Sequence, residues 1–387
     1  MTGRLTLTWA NKEKALLSHG ETGYEWVERD DPRVREVRLL DEVGRVGEVT
    51  GDASDNLLIR GDSVDALRAL VHSPEYAAHY RGKVKLVYID PPFNTGQAFE
   101  HYDDSLEHSV WLGMMRERLV LIRDLLASDG SVWVHLDDAE MAYCKVLMDE
   151  VFGRSNFVAT IVWQRRHSRS NDAVFSLSHD SLLVFARSAS IWASVRNNQA
   201  FELETAAGYS NPDDDHRGSW TSVSILSPSY RESGNYEITA PSGKTHRAPD
   251  GMSWRFPRST YDRLLAENRI WFGRNGDGVP RSKRFHSESD GVVPNTWWPH
   301  TETGHNDEAK RGIQAMFPHE TAFSTPKPER LLERVIHIAT NPGDIVLDAF
   351  AGSGTTAAVA HKMGRRWVTA ELSESTTDTF TKPRLEK

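Results

Sequence analysis

The stretch Lys85-Leu86-Val87-Tyr88-Ile89-Asp90-Pro91-Pro92-Phe93-Asn94-Thr95-Gly96 passes from a short apolar run into an acid, two prolines and an aromatic ring. The first half has the character of a buried parallel strand. Proline cannot continue a ladder or a helix, so the strand must stop at Asp90 and hold it at its carboxyl end. In open α/β sheets that edge is where ligands bind. A carboxylate, a rigid turn and an aromatic ring make a small socket. It can accept hydrogen bonds from an amine and stack on the flat ring that carries it. A plain strand end with a packed Phe93 fits these residues equally well, and a second stretch shifts the balance.

That stretch lies near the other end of the chain. Asp344-Ile345-Val346-Leu347-Asp348 reads as a strand, and Ala349-Phe350-Ala351-Gly352-Ser353-Gly354-Thr355-Thr356 turns into a helix through His361. Gly364 stops the helix, and Trp367-Val368-Thr369-Ala370-Glu371 is the next strand. Strand, glycine turn, helix, strand and terminal acid form a half-Rossmann unit. Gly352 and Gly354 let backbone approach a ligand closely, and Glu371 is placed to hold ribose hydroxyls. The spacing is neither the dinucleotide fingerprint nor a P-loop, because no Gly-Lys-Ser/Thr follows. Alone it is compatible with an adenosine-type ligand and says no more.

Between and before these stretches the chain alternates. Leu57-Leu58-Ile59 reads as a strand, and Ser63 is the expected cap of a helix bearing Val64, Leu67, Leu70 and Val71. A long amphipathic helix is predicted over 107–127, stopped near Asp129-Gly130. Strands are predicted at 131–136, 157–163 and 181–185, with a helix from Asp137 to Gly153. Such alternation predicts a largely parallel sheet with helices on both faces. Residues 1–55 are polar and acidic. Trp9, Leu16, Leu17, Tyr24 and Trp26 suit an arm or short helix laid on the main body, with no chemistry of its own.

Periodicity breaks after Arg187 and returns at Thr325-Pro326-Lys327-Pro328, which precedes a helix carrying Leu331, Leu332, Val335, Ile336 and Ile338. The irregular region interleaves basic and aromatic residues, as in Tyr230-Arg231, Trp254-Arg255, Tyr261, Trp271-Phe272-Gly273-Arg274 and Trp297-Trp298. That composition suits phosphate contacts with base stacking, or a small domain whose aromatics form its own core. The net charge of −9 argues against a uniformly basic coat. Residues Arg154 to Asp290, however, carry 18 basic against 15 acidic side chains, leaving 28 against 40 elsewhere. A mildly basic insert in an acidic scaffold is compatible with a localised polyanion surface. No apolar run approaches a membrane span, and the N-terminus lacks a signal-peptide core. One cysteine, Cys144, rules out a disulfide framework and fits a reducing, cytoplasmic setting.

Taken together, Asp90-Pro91-Pro92-Phe93 followed by Asp348-Ala349-Phe350-Ala351-Gly352-Ser353-Gly354-Thr355-Thr356 resembles the amino-methyltransferases of DNA. The order, catalytic tetrapeptide first and cofactor loop last, is that of the circularly permuted β class. Gly61-Asp62, Asn94-Thr95-Gly96, His135-Leu136-Asp137-Asp138 and Asn306-Asp307-Glu308-Ala309 are most similar to the modification (Mod) subunit of type III restriction-modification systems and its solitary relatives. The resemblance covers residues 55–187 and 300–387.

It implies a Rossmann-like α/β sheet with an N-terminal arm (1–55), a catalytic half (56–187), a target-recognition region (188–299) and a cofactor-binding half (300–387). S-adenosyl-L-methionine would lie over 348–356, involving Asp348, Phe350, Gly352, Gly354 and Thr355, with its ribose on Glu371. Asp62 would serve the adenine end, and Lys327 and Pro328 would frame the methionine end. Asp90 and the Pro91 carbonyl would accept hydrogen bonds from an exocyclic amine, Pro92 would stiffen the turn, and Phe93 would stack on a base flipped from double-stranded DNA. The implied reaction is adenine-N6 methylation by direct displacement, without a metal and without a cysteine nucleophile, which leaves Cys144 as structural filler.

Implied partners are DNA, a second copy of the chain and a restriction (Res) subunit. Phe93 departs from the more common Tyr, losing a hydroxyl but keeping a stacking face. The chain also ends sooner after Glu371 than type III Mod subunits do. Ser more often replaces Asp90 in cytosine-N4 enzymes, and Asn commonly precedes the Pro-Pro pair in enzymes of RNA or protein amides. A non-catalytic DNA-binding relative is the remaining alternative, against which Gly352, Gly354 and Glu371 speak.

Overall fold

Leu86, Val87, Tyr88 and Ile89 are all fully buried, which an apolar strand achieves only when both faces of its sheet are covered. The structure, a computed structural model, describes residues 6–20, 23–47, 55–94, 98–99, 102–103, 107–169, 174–199, 208–289, 291–321 and 323–387. Thr95 and Gly96 of the opening stretch lie outside them. Two compact units emerge, Met1–Asn197 with Pro294–Lys387, and Asn198–Val293.

The first unit is built on eight strands: β1 (Leu57–Arg60), β2 (Val84–Ile89), β3 (Leu126–Leu136), β4 (Phe157–Trp163), β5 (Asp180–Ala186), β6 (Trp297–Trp298), β7 (Ile345–Asp348) and β8 (Arg366–Glu371). Their order across the sheet is β6-β4-β5-β3-β2-β7-β8-β1. Every pairing is parallel except the two made by β5. Side chains alternate between two cores. Val87, Ile89, Val132, Val134 and Leu347 face α1 (Ser63–His72) and α2 (His108–Leu125). Leu86, Tyr88, Trp133 and Val346 face α4 (Glu329–Ala339) and α5 (Thr355–Lys362), and α3 (Met141–Met148) adds Cys144 and Leu147 to the first core. Burial pushes the Cys144 thiol up, as fits packing filler.

Local differences from the sequence reading have physical causes. Asp62, not Ser63, caps α1: its carboxylate accepts the Val64 amide at 2.8 Å, while Ser63 is the first helical residue. Helix α2 ends at Leu125 and β3 begins at once. Register shifts between Val84↔Leu126 and Leu86↔Ser131, so Asp129-Gly130 is absorbed as an irregularity within β3. The N-terminal region is a β-hairpin, Ala15–Ser18 against Tyr24–Val27, with Leu16 in the first core.

Residues 189–195 form a helix whose Trp192 packs in the second core, and Trp298 lies there too. The irregular region expected over 188–299 is therefore compact in itself only from Asn198 to Val293. There Trp220–Ser224 pairs with Arg281–Phe285, which pairs with Ile270–Trp271. Trp254, Tyr261 and Phe272 form its core with Ile225 and Ile238, so those rings have no face left for a base, whereas Tyr230 is exposed. Lys283 is buried with Asp213 and Asp215, its ammonium 5.1 Å from the Trp220 ring.

The hairpin docks through one tight contact. A Cβ at Gly113 in the middle of α2 would come within 2.5 Å of the Trp26 ring. Gly113→Ala is therefore expected to lower unfolding free energy by about 1–3 kcal/mol through overpacking. In a Trp26→Ala background the same change should be neutral or stabilising, by up to about 1 kcal/mol from helix propensity. Denaturant melts of the four proteins measure the coupling, and additivity would refute the contact.

Candidate active site

Parallel pairing of Leu86 with Val346 and Val87 with Leu347 puts the carboxyl ends of β2 and β7 side by side. A cleft opens there, lined by Asp90, Pro91, Pro92 and Phe93 from the first and by Asp348, Phe350, Gly352 and Thr355 from the second. Glu371, Lys327 and Asp62 complete its wall. Of the residues expected from sequence to touch cofactor or base, Gly354 and Pro328 are not on the wall. Gly354 begins α5 with φ +74°, and a Cβ there would face Thr381 at 3.1 Å, away from the cleft. A Cβ at Gly304 would press on Pro328 at 2.8 Å, which places that proline in packing rather than in the cleft wall.

Asp90 has two unlike oxygens. Oδ2 pairs with the Lys327 ammonium. Oδ1 is buried and has no hydrogen-bond partner, an unusual state for a carboxylate oxygen and one that a donor from a ligand would relieve. Lys327 thus serves Asp90 directly, and its ammonium lies 5.1 Å from the Phe93 ring centre. Trp111 Nε1 donates to the Pro92 carbonyl at 2.8 Å, holding the turn against α2. Phe93 is half-buried, its ring near-parallel to that of His135.

At the glycine turn, Gly352 adopts φ +50°, and a Cβ would meet the Phe323 ring at 3.3 Å. Its amide donates to Glu371 Oε2 at 2.7 Å, and the Ser373 amide donates to Oε1 at 3.0 Å. Two backbone donors orient the carboxylate and leave its remaining lone pairs for hydroxyl donors. Burial pushes the Glu371 carboxyl up despite these amides. Behind the turn, the buried Arg384 donates to Thr355 Oγ1 at 2.9 Å and to Glu329 at 2.8 Å. Asp348 accepts the Phe350 amide at 2.9 Å. Complete burial, aided by the charges of Asp90 and Glu371, raises its pKa to about 7 against hydrogen bonds from Thr356 and Phe350.

At the third corner, the sequence reading singled out Asp62 but not its partners Arg118 and Tyr24. Arg118, buried in α2, donates to Asp62 at 2.5 Å and Ser63 at 2.6 Å, and its guanidinium lies 5.9 Å from the Phe350 ring centre. Ser18 of the hairpin donates to the other Asp62 oxygen, and Tyr24 lines the cleft beside them. Burial would raise the Asp62 carboxyl, but Arg118, Ser18 and the Val64 amide hold it below its usual value. Asp62 is therefore largely committed to neighbours and orders the wall more than it offers free acceptors. A signal for Arg118 existed: it shares an apolar stripe with Trp111, Met115 and Ile122 at helical spacing. Tyr24 gave none, because its position depends on long-range docking.

A family model described as DNA methylase matches residues 84–382. The type III restriction-modification enzyme StyLTI Mod subunit of Salmonella typhimurium is 32% identical, over 79% of this chain and 49% of that protein. The probable type III restriction-modification enzyme HindVI Mod subunit of Haemophilus influenzae is 30% identical, over 84% and 50%. The type II methyltransferase M.EcaI of Enterobacter cloacae is 29% identical, over 74% and 61%. The chain spans about half the length of the two Mod subunits it matches.

Asp348 makes a pH prediction. Folding raises its pKa from about 4 to about 7, so the folded state favours the protonated acid. That stabilisation is full below about pH 4 and is lost as pH rises through about 7. Asp348→Asn cannot ionise, and its stability relative to wild type should climb over this window by up to about 4 kcal/mol. Denaturant melts at several pH values test it; a difference independent of pH would refute it.

Proposed function

The chain belongs to the DNA methylase family, and from that premise we propose that it methylates N6 of a specific adenine in double-stranded DNA, with S-adenosyl-L-methionine as methyl donor. The observation that carries this reading is the buried, unpartnered Oδ1 of Asp90, at the rim of a cleft whose far wall is a glycine turn and the amide-held carboxylate of Glu371. The residues present fit such a cofactor. Glu371 offers oriented acceptors for ribose hydroxyls, Gly352 permits close backbone approach, and Phe350 with Tyr24 supplies ring surface. When bound, S-adenosylmethionine supplies an electrophilic methyl group.

The chain's own residues do the rest. Asp90 Oδ1 accepts an N–H of the exocyclic amine and so directs the nitrogen lone pair away from the base plane. Lys327 keeps the carboxylate paired and its second oxygen occupied. Phe93 offers a stacking surface, worth about 1–3 kcal/mol, against the few kcal/mol needed to extrude a base. The cleft lining carries four carboxylates, Asp62, Asp90, Asp348 and Glu371, against the cations Arg118 and Lys327. That balance favours a cationic ligand.

Site choice is assigned to residues 198–293, because the cleft can read only the extruded base and neighbouring base edges need another surface. We assign the activity to a restriction-modification system, a reading supported by the similarity to type III Mod subunits. A restriction-subunit partner, a homodimer and a cytoplasmic location belong to the same reading. Among the described residues no helix is long and apolar enough to cross a membrane.

Incubation with labelled cofactor and DNA, followed by nucleoside analysis, tests the reaction: N6-methyladenine is expected, and N4-methylcytosine or no product would overturn the assignment. Asp90→Ala loses a charge-assisted hydrogen bond worth about 1.5–3 kcal/mol, so turnover should fall at least about tenfold to a hundredfold with cofactor binding retained.

The two ends of the cleft should separate in calorimetry. Tyr24→Ala and Glu371→Ala are each expected to weaken S-adenosylmethionine binding by about tenfold, for about 1.4 kcal/mol of lost contact. Phe93→Ala should leave that affinity nearly intact and impair capture of the base. Equal cofactor affinity in wild type and Glu371→Ala would contradict the placement.

A further inference from the structure

We propose that His135 is a positioning residue for methyl transfer, a buried platform that fixes the plane of Phe93 and through it the angle of the extruded base. The inference rests on the adenine-methyltransferase reading and adds to it a residue that never touches substrate.

His135 is on β3, next to β2, and is fully buried. Its ring lies 5.9 Å from that of Phe93, at an interplanar angle of 17°. An aromatic ring on the rim of a cleft ordinarily has rotational freedom, and a base stacked on it inherits that freedom. Here the ring behind Phe93 is held at both nitrogens. The Tyr88 hydroxyl is 2.8 Å from Nδ1, and Asp180 Oδ2 is 3.2 Å from Nε2.

The protonation states order these contacts. Asp180 is kept below its usual pKa despite burial, by His135 and Arg165, so it accepts and Nε2–H donates. Burial drives the Tyr88 phenol well above its usual range, so it stays a neutral hydroxyl in hydrogen-bond contact with Nδ1. Both imidazole nitrogens are therefore engaged, one by Tyr88 and the other by Asp180. Arg165 lies 3.0 Å from the other Asp180 oxygen, and the Trp163 ring meets the imidazole edge-on at 5.3 Å and 83°. With both nitrogens engaged and no exposure, His135 is not available as an acid or base to a substrate. The face it presents to Phe93 is its contact with the cleft rim.

Tyr88 links this platform to the chemistry by a second path. It lines the cleft and lies two residues before Asp90 on β2. The hydrogen bond from Tyr88 to His135 therefore ties the strand that carries Asp90 to the strand that backs Phe93. Acceptor and stacking ring are thereby held in one frame, and misplacement by about 1 Å at such a centre costs about a hundredfold in rate.

The test uses the full chain and a duplex containing its methylation site, with 2-aminopurine replacing the target adenine for the binding arm. His135→Leu keeps apolar volume and removes both ring and hydrogen bonds. Its single-turnover rate at saturating DNA is expected to fall by about tenfold or more. Affinity for S-adenosylmethionine by calorimetry should stay within about twofold of wild type, and 2-aminopurine fluorescence on binding should rise as stacking loosens. Tyr88→Phe, which frees one imidazole nitrogen without emptying the core, should show the same pattern at about threefold and decides the matter if His135→Leu does not fold. An unchanged rate and fluorescence in a folded variant, or cofactor affinity falling in step with the rate, would overturn the proposal. An inactive wild type is a different failure, that of the methyltransferase reading itself, and is seen before any variant is made.

Discussion

The parallel pairing of β2 with β7 is the constraint on which the rest depends. Leu86 and Val87 meet Val346 and Leu347 across a gap of more than half the chain. Only this pairing brings the carboxyl end that carries Asp90 beside the end that carries Asp348 and the glycine turn. The strand order reverses its direction of winding near this point, and such a switch opens a crevice at the sheet edge. The alternation of the two strands also serves both cores at once. Leu86 and Val346 point to α4 and α5, while Val87 and Leu347 point to α1 and α2. A one-residue slip would reverse every one of these faces.

Four carboxylates share the resulting cleft, and each is accommodated differently. Asp62 is neutralised by Arg118 and caps a helix. Asp90 is paired at one oxygen by Lys327 and left open at the other. Glu371 is held by backbone amides, and Asp348 is pushed up to about 7 by burial. Acids this close would repel one another if all were equally charged. Distributing them among an ion pair, amide cradles and a near-neutral state lets the fold keep them in one pocket. The two best-satisfied acids, Asp62 and Glu371, order the walls, and the least satisfied oxygen stands where chemistry is expected.

The N-terminal hairpin shows how little of a site need lie in its motifs. Trp26 fits against α2 only because position 113 has no side chain. From that contact follow the approach of Ser18 to Asp62 and the place of Tyr24 in the cleft wall. Arg384 does the same from the other side, reaching the glycine turn from behind. Both are supports supplied from outside the motifs themselves.

The sequence by itself determined β2 and β7, because buried apolar runs ended by Asp90-Pro91-Pro92 and by Asp348 with a glycine turn leave few alternatives in local physics. It also determined which acids sit at strand ends, since proline and glycine punctuate the chain where ladders must stop. Only the tertiary structure decided which atoms of those acids are free. Asp62 looked like a ligand and proved mostly occupied, because Arg118 and Ser18 arrive from other elements. Lys327, expected at the methionine end of the cofactor, lines the cleft and is also the counter-ion of Asp90. For Trp254, Tyr261 and Phe272 the sequence left stacking and core both open, and the structure makes them core, because a small unit must bury its largest rings to close. In each case local sequence sets what a residue can do, while long-range packing sets which of its partners reach it first.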